Sequence, residues 1–251
     1  MSPILVGAIV FGCVFGGALL GLRLRAWLPN PHLSAETKDV VKLSMGLVAT
    51  MTALILGLLI ASAKGSYDTQ RSGVIQMAAR VSFLDRLLAI YGPEAEETRR
   101  VLRASVEGAI ATIWPDQKSL PGRLDPNPSM GQALYHSVQK LAPRDDEHRA
   151  LKAQAVQIVA DVGQMRWLLF EESGSSISTP LLVVVSAWLA LIFTSFALFA
   201  PTNTTVVVSL MIASFSVAGS IFLILELDQP FWGVIQISNA PMRHALEHLG
   251  R

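Results

Sequence analysis

Four long apolar runs without a charged side chain constrain this chain more than any other feature of its sequence. The hydrocarbon core of a bilayer is about 30 Å thick, so a helix that crosses it needs about 20 such residues. Each run reaches that length. The sequence therefore predicts a multi-pass membrane protein with transmembrane helices at residues 3–22, 43–63, 180–200 and 206–225.

The composition indicates that only part of the chain lies in lipid. Hydrophobic residues make up 51% of the 251 residues, charged residues make up 16%, and the mean hydropathy is +0.46. These values are too apolar for a soluble domain and too mixed for a chain wholly in lipid. The 20 Lys and Arg residues nearly balance the 19 Asp and Glu residues, so we do not expect nucleic acid as a partner.

Residues 64–179 are predicted to form a water-soluble helical domain between the second and third membrane helices. Two stretches carry apolar residues at alternating spacings of three and four, the pattern of a coiled-coil seam. The seams are Val74, Met77, Val81, Leu84, Leu88 and Tyr91, and Leu151, Ala155, Ile158, Val162, Met165 and Leu169. Because no proline lies between Leu43 and Tyr91, the second membrane helix should continue as one helix until Gly92-Pro93 ends it.

Shorter elements complete the predicted architecture. The apolar positions of two further helices are Leu102, Val106, Ala109, Ile110 and Ile113, and Leu134, Val138 and Leu141. Residues 115–129 carry four prolines and are expected to form a loop. Residues 226–251 form an amphipathic C-terminal segment, expected to dock on the soluble domain or on the membrane surface. The fold class is thus an all-α membrane protein with a coiled-coil-like soluble domain between helices 2 and 3.

Small residues recur at helical spacing in the first two membrane helices, as two pairs in the first and along one face of the second. In the first helix, which we expect to be retained because no cleavage site follows it, the pairs Gly12/Gly16 and Gly17/Gly21 predict close helix packing. The face of the second helix carries Gly46, Thr50, Ala53, Gly57 and Ala61, and Lys64 follows at its end. This face is interpreted either as a packing surface or as the wall of a pore around a symmetry axis. The lysine either extends to the membrane interface or attracts anions at the pore mouth.

Two carboxylates follow the fourth membrane helix directly. Glu226 and Asp228 are costly if they face lipid, so they should lie at the interface or point into protein. One interpretation is structural: Pro230 ends the helix, and Trp232 anchors the segment at the membrane interface. The other makes Glu226, Asp228, Pro230 and Phe231 part of a gate or a cation site.

Nothing in the sequence indicates an enzyme. The single cysteine, Cys13, lies in an apolar run, so the chain cannot form a disulfide or a paired-cysteine metal site alone. His244 and His248 have metal-ligand spacing but no third ligand nearby. No nucleophile elbow or phosphate-binding glycine loop is present. We therefore expect no catalytic residue, no metal and no cofactor.

Short motifs spread over nearly the whole chain accompany this order of helices. They are Leu28-Pro29 with His32-Leu33, the run Leu47 to Lys64 entering Gly65-Ser66-Tyr67-Asp68, Leu84-Asp85-Arg86 with Tyr91-Gly92-Pro93-Glu94, and Leu225 to Gly233 followed by Pro241. The combination resembles the bestrophin-like family of bacterial membrane proteins, which is similar in turn to the bestrophins. Bestrophins are pentameric anion channels whose domain between helices 2 and 3 is cytosolic.

The resemblance implies a homo-oligomer, with five subunits in a bestrophin, that lies in the bacterial inner membrane and has inorganic ions and the lipid bilayer as partners. It does not imply activation by calcium, because Val234, Ile235 and Gln236 stand where animal bestrophins carry an acidic calcium-binding segment. The aromatic neck of their second helix is also replaced here by the small residues described above.

The distribution of basic residues favours a cytoplasmic soluble domain by six to four. Six Lys and Arg residues near the membrane lie on the soluble domain or the tail, namely Lys64, Arg71, Arg80, Arg166, Arg243 and Arg251, and four lie between helices 1 and 2, namely Arg23, Arg25, Lys38 and Lys42. Two functions remain open. The first is an oligomeric ion channel for anions, and the second is a non-conducting anchor, sensor or scaffold whose helical stalk binds a partner.

Overall fold

The structure, a computed structural model, describes residues 2–29, 34–115, 128–172 and 177–250. These residues form helices and no strand, and four of the helices are long and apolar enough to cross a membrane. The predicted all-helical class with four membrane helices is therefore confirmed. Residues 32–33 of the family motif and most of the loop predicted at 115–129 lie outside the described residues.

Eight α-helices follow one another along the described chain. They are α1 (Pro3–Trp27), α2 (Ala35–Tyr91), α3 (Glu96–Ile113), α4 (Pro128–Gln139), α5 (Asp146–Glu172), α6 (Thr179–Leu198), α7 (Thr204–Leu227) and α8 (Ala240–His248), with a 3₁₀ turn at Pro93–Ala95. Helix α2 continues without interruption through the predicted end of the membrane helix at residue 63. It ends at Gly92, whose φ of 108° suits glycine and ends the helical conformation.

The chain divides into two compact units. The first, which we call the apolar unit, comprises Met1–Gly65 and Ser176–Asp228. In it α1 packs along α6 and α7. Its buried core comprises Val10, Val14, Ala18, Val185, Leu189, Ile192, Phe193, Ala197, Ala218 and Ile221.

Glycines allow α1 to approach α6 closely. A Cβ added at Gly21 would overlap the carbonyl oxygen of Thr194 and lie 3.0 Å from Cβ of Ala197. One added at Gly17 would lie 2.8 Å from Oγ1 of Thr194. In contrast, a Cβ added at Gly12 or Gly16 would meet no atom within 4 Å. Of the two predicted glycine pairs, the structure therefore packs only Gly17/Gly21 inside one copy of the chain.

The second unit, which we call the polar unit, comprises Ser66–Ser175 and Gln229–Arg251. All six seam residues of α2 are buried in its core, and those of α5 are buried or half-buried. The apolar positions of α3 and α4 complete that core, together with Phe231, Ile237 and three residues of the C-terminal part, Met242, Ala245 and Leu249. The C-terminal helix α8 thus packs on the polar unit, where it contacts α3.

Candidate functional site

The six predicted pore-lining residues share one exposed face of α2. At about 100° per residue, Gly46, Thr50, Ala53, Gly57, Ala61 and Lys64 fall within an arc of about 80°. All six are exposed in the single chain. A Cβ added at Gly46 or Gly57 would meet no atom within 4 Å. No other part of the described chain therefore packs on either glycine.

The opposite face of the membrane part of α2 packs on the core of the apolar unit. Thr52, Leu59 and Ala63 are 2%, 5% and 0% exposed. The hydroxyl of Thr52 donates to the carbonyl of Val48 at 2.7 Å, which satisfies a polar group on a buried face. Leu56 is half-buried against the same core. The buried and the small-residue faces of α2 are therefore different faces.

Thr50 is the one hydroxyl on the small-residue face. It donates to the carbonyl of Gly46 one turn earlier, at 2.9 Å. This bond satisfies the donor within the helix and leaves lone pairs of the hydroxyl oxygen pointing outward. From Gly46 to Ala61 the six-residue face is therefore weakly polar, and only Lys64 at its end has a long side chain.

The carboxylates after the fourth membrane helix are buried in the apolar unit. Glu226 is 2% exposed and Asp228 is 5% exposed. Helix α7 ends here, where the backbone N–H of Asp228 donates to the carbonyls of Ile224 and Glu226. In one copy of the chain these carboxylates point into protein, which is one of the two positions predicted for them.

Pro230 and Phe231 belong to the polar unit, and both are buried. The ring of Phe231 packs edge-on against that of Trp114, with centroids 6.0 Å apart. The indole N–H of Trp114 donates to the carbonyl of Ile237 at 2.8 Å, and the backbone N–H of Ile237 donates to the carbonyl of Pro230 at 2.7 Å. The Pro-Phe segment is therefore fixed by the end of α3, a contact that the sequence did not predict.

An ion pair with a buried carboxylate holds the other end of α3. Arg99 donates to both oxygens of Asp85, from Nε at 2.8 Å and from Nη2 at 2.9 Å. These hydrogen bonds raise the pKa of the Arg99 guanidinium above its usual value. The backbone N–H of Gly250 also donates to Asp85, at 3.3 Å, and Arg103 donates to the carbonyls of Leu246 and Leu249.

The sequence places Asp85 in one of the family motifs but does not predict its ion pair. A signal was nonetheless present, because an aspartate directly after Leu84 lies beside a buried seam and needs a partner there. The partners themselves lie 14 and 165 residues away along the chain, so no local pattern indicates them.

Among the described residues, no three His, Cys, Asp or Glu side chains lie close enough together to hold a metal ion. The imidazole of His244 lies 3.7 Å from the carboxylate of Glu247, on the exposed side of α8.

The model of the bestrophin-like domain family matches residues 11–242, which is most of the chain. The chain belongs to the bestrophin-like family. A search of curated proteins gives no significant match. With its apolar helices, this member of the family is a membrane protein.

Solved structures support the same fold. One variant of the bacterial bestrophin homologue of Klebsiella pneumoniae has a TM-score of 0.72 at 14% identity, over 99% of this chain and 97% of that one. A second variant of that homologue has a TM-score of 0.70 at 14% identity, over 96% of each chain. A protein described only as a membrane protein has a TM-score of 0.69 at 14% identity, again over 96% of each. At this identity the likeness establishes the fold of the bestrophin-like chain.

Proposed function

We propose that the chain is one subunit of a homo-oligomeric ion channel, selective for anions, with α2 of each subunit around the central axis. The observation that carries this proposal is the exposed face of α2, where five small or weakly polar residues and a lysine are exposed in one copy. Membership of a family related to anion channels supports the same function. Fold likeness alone would be a weak argument.

Helix α2 has more uncovered apolar surface than the other membrane helices. In the most apolar 18-residue stretch of α2, only 11% of the residues are buried, whereas the corresponding shares in α1, α6 and α7 are 28%, 28% and 22%. Large side chains lie beside the small face, at Leu43, Leu47, Leu54 and Leu58, and each is at least 66% exposed. In an oligomer these leucines would meet lipid or a neighbouring subunit, and the small face would line the axis.

Lys64 gives the proposed pore its preference for anions. It lies on the same face as the small residues, one turn beyond Ala61, and it is exposed. A ring of such lysines, one per subunit, would raise the anion concentration at the pore mouth. The buried carboxylates Glu226 and Asp228 do not reach the surface of a single subunit, so they are assigned to the support of α7 rather than to the ion path.

The topology completes the proposal. We place residues 64–179 in the cytoplasm, on the six-to-four distribution of basic residues and on the family resemblance, and the membrane helices in the bacterial inner membrane. The seams of α2 and α5 would form a coiled-coil-like stalk within this domain. Two contacts support their pairing: an ion pair between Arg80 and Asp161, and the approach of Leu169 to Gly73.

The test is a flux measurement on purified protein of known subunit number. Subunits are counted by mass measurement in detergent, and the protein is then reconstituted into liposomes that report chloride and potassium efflux. Protein-dependent chloride efflux that exceeds potassium efflux is expected. Efflux equal to that of empty liposomes would instead favour the non-conducting anchor, sensor or scaffold, and a monomer would rule out a pore shared between subunits.

A further inference from the structure

A cavity of about 440 Å³ lies inside the polar unit. Its volume falls within the range of about 300 to 1,000 Å³ that is usual for small-molecule sites. Apolar side chains from five helices supply most of its walls. They include Val81 and Leu84 of α2, Val106 of α3, Leu134 of α4, Val159 of α5 and Met242 of α8.

One cation lies in this apolar wall. Arg166, on α5, makes no hydrogen bond and no ion pair with the part of the chain that the structure describes, and its guanidinium lies 3.9 Å from the Cβ position of Gly131. Burial away from water lowers the pKa of Arg166 from its usual value. Other arginines of the polar unit, such as Arg99 and Arg103, each pair with a carboxylate. A half-buried guanidinium beside a cavity without such a partner favours an anion from outside the chain.

We propose that the cavity binds the anion of a free fatty acid, with its carboxylate on Arg166 and its alkyl chain along the apolar walls. The planar guanidinium can donate two parallel hydrogen bonds to a carboxylate. The apolar walls favour an unbranched alkyl chain, because each methylene removed from water strengthens binding about fourfold. A small polar metabolite would leave most of these walls without a partner, and a neutral lipid would leave Arg166 unpaired.

Gly163 offers a way to fill the cavity without disturbing the fold. It lines the cavity from the middle of α5, and a Cβ added there would meet no atom within 4 Å. The substitution Gly163→Leu therefore places a side chain in open space, and leucine favours the helix more than glycine does. Loss of binding in this variant would be due to occupation of the cavity rather than to unfolding.

The experiment measures binding of radiolabelled dodecanoate and of dodecanol to the full chain in lipid nanodiscs, by equilibrium dialysis with empty nanodiscs subtracted. Saturable binding of one dodecanoate per subunit is expected, about fifteenfold tighter than that of decanoate, which has two methylenes fewer. Arg166→Gln should weaken dodecanoate binding at least tenfold and leave dodecanol binding unchanged. Gly163→Leu should abolish the binding of both compounds.

Two matched variants control for the changes themselves. Arg149→Gln removes an exposed arginine of the same helix, and Gly219→Leu adds a leucine at another helical glycine with open space around it. Both should bind dodecanoate as the wild type does, and all variants should keep the wild-type unfolding temperature within a few degrees. The proposal is overturned if dodecanoate binding is not saturable, if it survives Gly163→Leu, or if Arg166→Gln weakens acid and alcohol equally.

Discussion

Two glycines of α1, five residues apart, should respond in opposite ways to the same methyl group. At Gly21 a Cβ would overlap the backbone carbonyl of Thr194, which cannot move without shifting α6. At Gly16 it would meet nothing within 4 Å. We therefore expect Gly21→Ala to lower the free energy of unfolding by about 1 to 3 kcal/mol, as other overpacked sites do. Gly16→Ala should be neutral or slightly stabilising.

The measurement is an SDS titration of purified protein in mixed micelles, followed by circular dichroism. Equal curves for the two variants would mean that α1 and α6 do not pack at this distance. A loss of stability in Gly16→Ala alone would indicate that the exposed glycine face of α1 packs against another subunit in the micelle.

At the scale of single residues, the sequence predicted that glycines pack closely against another helix but not which glycines do so. Both glycine pairs of α1 have the spacing that permits close packing, and only the contact with α6 distinguishes Gly17/Gly21 from Gly12/Gly16. The role of Asp85 needed a tertiary contact as well, because Arg99 and Gly250 reach it from other elements. Spacing along one helix carries no information about which neighbour faces it.

Single elements followed their sequence patterns more closely. The seam residues of α2 are all buried, and Gly92-Pro93 ends that helix as the backbone properties of the pair require. Helix α2 begins at Ala35, eight residues before the predicted membrane run. The polar stretch before Leu43 has no regular spacing of apolar residues, so the sequence pattern did not predict this first part of the helix. Its residues are nonetheless compatible with a helix.

The start of α5 gives a prediction about pH. The carboxylate of Asp145 accepts a hydrogen bond of 2.8 Å from the backbone N–H of His148, and this bond is the main reason that the pKa of Asp145 lies below its usual value. A lowered pKa in the folded state stabilises the fold above the ordinary aspartate pKa. That contribution disappears as the pH falls through the folded-state value.

The variant Asp145→Asn keeps an oxygen that can accept the same bond but does not titrate. The unfolding temperature of the wild-type chain should therefore fall relative to that of this variant as the pH falls below about 4. Thermal unfolding in nanodiscs between pH 7 and pH 3 would measure the difference. If the unfolding temperatures of the two proteins fall in parallel as the pH falls, titration of Asp145 does not contribute to stability in acid.

At the scale of the whole molecule, the sequence left open whether copies of the chain contact one another. The face from Gly46 to Ala61 fitted a packing surface and a pore wall equally well, because both require small residues at helical spacing. In the structure a different face of α2 packs on the core of the apolar unit, and the small face is exposed in one copy. The small face is therefore not a packing surface within the single chain. Subunit number and ion selectivity depend on how copies of the chain assemble around a symmetry axis. No local sequence pattern specifies that assembly.

This arrangement separates assembly from stability at two neighbouring positions. Gly57 has open space around it in one copy, whereas Leu56 is half-buried against the apolar core. Gly57→Leu should therefore reduce ion flux or oligomer yield while it leaves the unfolding of the subunit unchanged. Leu56→Phe should do the reverse and cost about 1 to 3 kcal/mol of stability. Flux assays and SDS titrations of both variants test the pair, and equal tolerance in both assays would exclude the small face from the pore.

Charge at the mouth of the proposed pore provides the sharpest test of function. If α2 surrounds the axis, each subunit contributes one exposed Lys64, and the ammonium groups form a ring at the end of the small face that adjoins the polar unit. Their field acts over the Debye length, about 8 Å at physiological salt and longer in dilute salt. Lys64→Glu would replace this positive ring with a negative one, because the side chain is exposed and the backbone is helical in either case.

The reversal potential in asymmetric KCl across a planar bilayer measures the effect. Lys64→Glu should lower the permeability of chloride relative to potassium, and the change should be larger at low ionic strength than at high, since salt screens the ring. A lysine that only extends to the membrane interface predicts a different result, namely a modest change in yield or stability with selectivity unchanged. Currents well above background with the same reversal potential in both proteins would assign Lys64 to the interface. Absence of current in both would favour the non-conducting anchor.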